Sequence, residues 1–212
     1  MNFWKLLVIS LLCALLFACA ERKPIVVEEF KAESLQEFIE EMQKYSYIEG
    51  ILNLQYETKN SQLNGEASLR ISKKELLLRV YYLGFPAGEI YEEDGSVSSN
   101  LIIEKDRLNE LAKGIRKGFI WWQGDFSIEE NSDDYILKDR QNDRVLILKK
   151  VGFMPVSQIL NVDGQKIIIT YHEYGKIQTE DGKSINIPLN MEVNYKNRTL
   201  KIKIERLRIK NV

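Results

Sequence analysis

The feature that most limits what this chain can become is a change of hydrophobic period near Tyr47. From there to the C-terminus, apolar residues recur at every second position, the spacing of strands with one buried face. Leu63, Gly65, Ala67, Leu69 and Ile71 alternate with Asn64, Glu66, Ser68 and Arg70. Ile185, Ile187, Leu189, Met191, Val193 and Tyr195 alternate with mostly polar partners. Leu200, Ile202 and Ile204 follow the same rule, and the phase then moves to Leu207 and Ile209, as a bulge near Glu205 and Arg206 would produce. Denser apolar runs lie between, at Leu76–Val80, Val145–Leu148 and Ile167–Ile169. Asp94-Gly95, Asp163-Gly164, Asp181-Gly182 and the polar run Asn131–Asp134 read as turns. The spacing predicts about ten or eleven strands with short connections, and therefore a largely antiparallel sheet.

Two short helices interrupt this pattern. Ser34 and Glu37 have capping-box spacing ahead of Leu35, Phe38, Ile39 and Met42, which share one helical face. Asp106–Lys117 is the second: Asp106 is placed to cap it, Leu108, Leu111, Ala112 and Ile115 line one side, and Gly118 is expected to stop it. Two such helices cannot cover a flat sheet of this width. The apolar face must be buried by curling, since wide twisted sheets rarely stay open and flat. The expected fold is α+β, mainly β: a strongly curved antiparallel half-barrel with short helices across its mouth. Its interior is either a packed core or an apolar cavity, and the pattern leaves both open.

If it is a cavity, the inward phase assigns Leu69, Leu78, Ile168, Met191 and Ile202 to its wall. Phe119-Ile120-Trp121-Trp122-Gln123-Gly124 follows the second helix. Read as a strand, it points Trp121 and Trp122 to opposite faces, so that one of them enters the interior. Tyr81–Gly88 is a glycine- and proline-containing turn whose side chains are unusually apolar. Leu83, Phe85 and Pro86 there are candidates for a membrane or partner loop, or simply fold over the core edge.

The N-terminus reads as a targeting segment. Met1–Lys5 carries one positive charge, and Leu6–Ala18 is a run of thirteen apolar or small residues. That suits a signal-peptide core and falls short of the roughly 20 residues a spanning helix needs. The run ends in Leu16-Phe17-Ala18-Cys19, which resembles the lipobox of bacterial lipoproteins. The expected organisation is a signal peptide over 1–18, lipidated Cys19 with a tether over 19–33, and one domain over 34–212. After cleavage Cys19 is the only cysteine, and acylation would consume a thiol that has no disulfide partner. Ala20 and Glu21 follow it with no Asp. By resemblance to enteric sorting rules, that favours the periplasmic face of the outer membrane, or the cell membrane in a host with only one.

The chain of 212 residues has 30 basic and 31 acidic residues; Lys5 is the only charge before Cys19, so the processed chain nets −2. This argues against a nucleic-acid partner, and no polybasic segment suggests recognition of anionic lipid headgroups. Nothing points to catalysis, a metal or another cofactor. The single histidine, His172, ends an apolar strand and has no second His or free Cys for a zinc site. The acidic groups at Glu40-Glu41, Glu92-Glu93-Asp94 and Asp133-Asp134 sit where carboxylates are usually solvated, and no nucleophile elbow or phosphate loop is present.

Taken together, the lipobox, the first helix, Tyr47–Leu54, the apolar turn, the Trp-rich stretch 119–124 and the closing strands from Ile167 to Ile209 resemble the family of the outer-membrane lipoprotein receptor and its periplasmic carrier (LolB and LolA). The resemblance implies a half-barrel whose apolar cavity holds acyl chains, with no catalytic step. Its partners would be the membrane, through the anchor, then lipid or lipoprotein acyl chains and a periplasmic carrier. In the receptor branch an exposed apolar loop passes lipoproteins into the membrane, and Leu83 with Phe85 is the matching stretch. The alternative is an adaptor lipoprotein with a solid interior that docks a protein in an envelope complex.

Overall fold

A computed structural model describes residues 28–29, 32–101, 105–141, 143–162 and 164–211. The expected signal peptide, Cys19 and most of the tether lie outside the described residues. Within the tether segment, Glu28–Glu29 (β1) pairs in parallel with Lys183 and Ser184.

Helix α1 (Leu35–Gln43) begins as the capping pattern predicts. Ser34 is extended and its hydroxyl accepts the Glu37 amide at 3.2 Å, while the Glu37 carboxylate accepts the Glu33 amide at 2.8 Å. Leu35, Phe38, Ile39 and Met42 form its buried stripe. On its outer side Glu41 is paired with Lys183 and with Lys44. Hydrogen bonds from Lys183, then Lys44, hold the Glu41 carboxyl below its ordinary value of 4.5. A depressed carboxylate contributes stability that is present above its unfolded pKa and lost as pH falls through the folded one. The hold of α1 on the sheet should therefore weaken as pH drops below 4.5. Hydrogen-exchange protection of the α1 amides, compared with Glu41→Gln, measures this. A variant with the same acid dependence as the parent would remove Glu41 as its source.

The strands are β2 (Tyr45–Glu57), β3 (Gln62–Ile71), β4 (Glu75–Tyr82), β5 (Phe85–Glu93), β6 (Ser96–Ser99), β7 (Phe126–Glu130), β8 (Asp134–Asp139), β9 (Arg144–Lys149), β10 (Pro155–Val162), β11 (Gln165–Gln178), β12 (Lys183–Tyr195) and β13 (Arg198–Asn211). They form one antiparallel path, β6-β5-β4-β3-β2-β13-β12-β11-β10-β9-β8-β7. The count exceeds ten or eleven because β6, β7 and β8 are too short to carry a sustained alternation. Every link joins neighbours in sequence except β2–β13, which joins the two meanders. The path would close into a barrel if β6 met β7, and instead those two are its ends. The segment between them carries helix α2 (Lys105–Phe119), which packs on β5 and β6 at one side and on β10, β11 and β12 at the other. The fold is thus a curved, open sheet with α2 laid across its mouth.

Two local expectations about α2 need correction or limit. Gly118 does not stop the helix. It lies inside it, and a Cβ there would meet Met191 Sδ at 3.1 Å; one at Gly114 would meet Val193 Cγ1 at the same distance. The two glycines let the helix backbone come down close onto β11 and β12, so glycine here serves packing rather than termination. The side chain of Asp106, the expected cap, lies outside the described residues. The bulge in β13 is present: the register against β2 shifts between Ile204 and Arg206. It allows Ile204 and Leu207 both to face inward. One contiguous cluster joins the inner stripes of both helices to the concave face of the sheet.

Candidate hydrophobic binding site

The concave face brings the proposed lining residues together in two groups. Leu69 and Leu78 are cross-strand partners on β3 and β4, with Ile90 of β5 opposite Leu78. Met191 and Ile202 are partners on β12 and β13. All four are buried. Ile168 is a correction: it is 44% exposed, on the convex face. The run Ile167-Ile168-Ile169 has no phase of its own, so its strand partners decide. Ile167 and Ile169 pair with Tyr195 and Val193 and turn inward, leaving Ile168 outside opposite Ile159 and Asn194.

The tryptophans are a second correction. Residues 121 and 122 form a turn directly after α2, not a strand. Without strand alternation they need not diverge, and both are 1% exposed. Their rings meet edge to face at 5.5 Å, and Trp121 stacks on Phe38 of α1 at 6.0 Å. Trp122 Nε1 donates to the Tyr45 carbonyl at 3.0 Å. Gln43 Nε2 donates to the carbonyls of Trp122 and Gly124. The turn is therefore a junction between α1, α2 and β2. Trp121 Nε1 is buried with no hydrogen-bond partner.

Beneath this junction Gly118, Met191, Ile187 and the two tryptophans border a void of only about 10 Å³. That is about the space of one water probe. Ligand pockets typically run to roughly 300–1,000 Å³. In this conformation the space between the helices and the sheet at that point is filled.

Polar side chains that sequence reasoning missed fasten α2 over it. Arg144 of β9 is fully buried, pairs with Asp139 of β8 at 2.9 Å, and donates to the Trp121 and Gln123 carbonyls. Gln158 of β10 donates to the Lys117 carbonyl, and the Tyr171 hydroxyl of β11 to that of Gly118 at 3.0 Å. The last two satisfy carbonyls that the C-terminus of α2 leaves unpaired, and those from Arg144 hold the turn that follows it. Burial pulls Arg144 below its ordinary value, against the opposing attraction of Asp139, and pushes Tyr171 well above its own. Burial, followed by repulsion from Arg144, also lowers Lys117. On the other side Arg116 donates to Glu92 of β5 at 2.9 Å and to the Ser72 carbonyl. The signal for the buried set was in the sequence. Arg144, Asp139 and Gln158 each sit in the apolar phase of their strand, with Leu146, Leu137 and Leu160.

No protein-family model and no curated protein matches the sequence. Solved structures do. A LolA superfamily protein from Nitrosomonas europaea superposes with a TM-score of 0.54 at 11% identity, covering 83% of this chain and 93% of that one. A domain assigned to outer membrane lipoprotein sorting from Vibrio parahaemolyticus gives 0.54 at 9% identity, covering 82% and 90%. The fold is LolA-like. The likeness rests on backbone arrangement alone, and it supports the LolA-like fold without specifying the receptor branch.

Set on this LolA-like frame, the β4–β5 hairpin carries three exposed large hydrophobic side chains close together, Tyr82, Leu83 and Phe85. The apolar turn is shorter than the sequence suggests: both strands run up to a two-residue turn of Leu83 and Gly84. Leu83 is 80% exposed and Phe85 73%, with Tyr82 and Pro86 also exposed. Both turn residues have positive φ, 51° and 80°. Gly84 adopts that conformation freely, whereas for Leu83 it is disfavoured, and asparagine or glycine would be the ordinary choice. A leucine that is both strained and solvent-facing contributes nothing to the core. Among the described residues, no group of three or more His, Cys, Asp or Glu side chains is placed to hold a metal ion. His172 is exposed.

Proposed function

We propose that this is a lipid-anchored envelope protein that handles the acyl chains of lipids or lipoproteins. It would be attached through Cys19 and face the periplasm from the outer membrane, or the exterior of a single membrane. The observation that carries the reading is the hairpin tip at Leu83 and Phe85. Exposed apolar side chains on a backbone that disfavours one of them fit insertion into a bilayer or against acyl chains. The name of one structural neighbour, which refers to outer membrane lipoprotein sorting, agrees with it. Acyl chains would lie between the helices and the concave face, against Leu69, Leu78, Met191, Ile202 and the tryptophans. Because that space is filled under the tryptophans, α1 and α2 would move outward to admit them. An acceptor on the ligand would then satisfy the unpaired Trp121 N–H. A periplasmic carrier that delivers such cargo would be the natural partner.

The filled space under the tryptophans favours a second reading, an adaptor whose tip docks a protein partner. Mass spectrometry of organic extracts separates the two, using a soluble form that begins at Glu21 and is purified without detergent. Stoichiometric lipid, or uptake of lipid on incubation, supports acyl handling. A folded protein that extracts clean and takes up none supports the adaptor.

The tip makes its own prediction. Leu83→Glu with Phe85→Glu should leave the melting temperature of the soluble form near that of the parent, since neither side chain is buried. Flotation with phosphatidylcholine vesicles should fall at least tenfold, as about 1.4 kcal/mol corresponds to each factor of ten. An unfolded double variant would show that the tip belongs to the core and would remove it from the argument.

A further inference from the structure

The convex face carries a concavity that the acyl-chain reading does not use. It has a volume of about 350 Å³ and lies over β13, β2, β3 and β4. Its wall contains four arginines, Arg70, Arg79, Arg206 and Arg208, with one acid, Glu49. Ile51, Ser68 and Leu77 are among the residues of its floor.

Strand register sets these residues in two adjacent rows. One runs Arg208, Glu49, Arg70, Leu77 from β13 to β4; the next runs Arg206, Ile51, Ser68, Arg79. The hollow depends on the β13 bulge. By adding one residue, the bulge returns Leu207 and Ile209 to the inner phase and turns Arg206 and Arg208 outward. Gly50 makes room for it: a Cβ there would stand 2.7 Å from the Arg206 carbonyl. The basic residues come from β3, β4 and β13, the last far from the other two in sequence, so no polybasic run announces them.

The charges do not balance. Arg208 has Glu49 at 3.5 Å, and Arg79 has Glu89 at 3.2 Å. Arg70 and Arg206 have no carboxylate within ion-pair distance among the described residues. Two positive charges therefore remain unpaired over one hollow. Their strands are two apart and their rows adjacent. At about 4.8 Å per strand and 3.3 Å per residue, the backbones stand roughly 10 Å apart across the sheet and 7 Å along it. Two long guanidinium side chains can span that gap by leaning toward a common anion. A tetrahedral phosphate dianion matches the uncompensated charge, and its several oxygens suit donors arriving from different strands.

We propose that this groove binds a phosphate monoester group, carried by a lipid headgroup or by a small soluble molecule. The floor of Ile51 and Leu77 would take the carbon adjoining the ester. This site is independent of the hairpin tip and of the acyl-chain reading.

The test uses the full chain in a maltoside detergent, which has no phosphate. Calorimetric titration with inorganic phosphate should show saturable binding at low salt. Arg70→Gln with Arg206→Gln should weaken it ten- to a hundredfold, while Lys59→Gln with Lys166→Gln, an equal loss of exposed charge elsewhere, should leave it within about twofold. Arg70→Lys with Arg206→Lys keeps the charge and should retain part of the affinity, which covers the case of a glutamine variant that does not fold. A second arm follows labelled phosphatidic acid in mixed micelles. Displacement of that lipid by phosphate, lost in the glutamine variant, assigns the groove to headgroups. Phosphate binding without lipid retention assigns it to a soluble phosphate ester. No binding in either arm, or binding unchanged in the glutamine variant, would overturn the proposal.

Discussion

Arg144→Met is expected to lower stability by about 3–5 kcal/mol, the usual cost of breaking a buried ion pair by removing one partner. For a domain of this size that corresponds to a fall of roughly 6–20 °C in melting temperature. The reason is what is left behind. Asp139 is paired with Arg144 at 2.9 Å and both side chains are fully shielded from solvent. Without the guanidinium, the carboxylate keeps its burial and loses this counter-charge. The Trp121 and Gln123 carbonyls lose a donor at the same time. The double variant Arg144→Met with Asp139→Leu should recover much of the loss, because an apolar pair of similar size removes the stranded charge. Full recovery is not expected, since methionine cannot replace the donors to the turn that follows α2. Chemical denaturation of the parent, the single and the double variant gives the coupling directly. A single variant that loses less than about 1 kcal/mol would show that Asp139 finds water in the folded state.

This buried pair illustrates how far the sequence could be read. Alternation along the strands, the caps of α1 and the shift near Glu205 follow from period and phase. The half-barrel follows from geometry, because two helices cannot cover so wide a face. The positions that misled are those where phase is undefined or another element intrudes. Ile168 lies in an unbroken apolar run, and only its pairing with Asn194 turns it outward. Trp121 and Trp122 follow a helix that runs past Gly118, so the strand rule never applied to them. Gly118 resembles a helix stop in isolation, and its real constraint, Met191 on β12, is visible only once the sheet is assembled.

The polar features divide in the same way. Arg144, Asp139 and Gln158 occupy inward positions of their strands, so a polar residue in an apolar phase was a usable sign of a buried network. The convex arginines gave no comparable sign. Each stands at an ordinary outward position, and only the pairing of β13 with β2 and of β2 with β3 gathers them. Absence of a basic run in a sequence therefore says little about basic surfaces on a sheet whose first and last long strands are neighbours.

The tryptophan turn gives the other large effect. Trp122→Ala should cost about 3–5 kcal/mol, the range for emptying a buried indole site. The loss has two parts, the vacated volume beside Met191 and Ile187 and the hydrogen bond to the Tyr45 carbonyl. Phenylalanine separates them. Trp122→Phe keeps most of the packing but removes the shorter of the two side-chain bonds to the Tyr45 carbonyl, so about 1 kcal/mol should be lost. Trp121→Phe gives up no hydrogen bond, because that indole N–H is already unpaired, and should cost less. Equal losses in the two phenylalanine variants would mean that the Tyr45 bond adds nothing. The comparison also bears on function. If acyl chains enter beneath this turn, Trp121→Ala enlarges their space and should raise lipid uptake while lowering stability. A variant that loses stability and gains no lipid would place the tryptophans in a solid core, and the adaptor reading would follow.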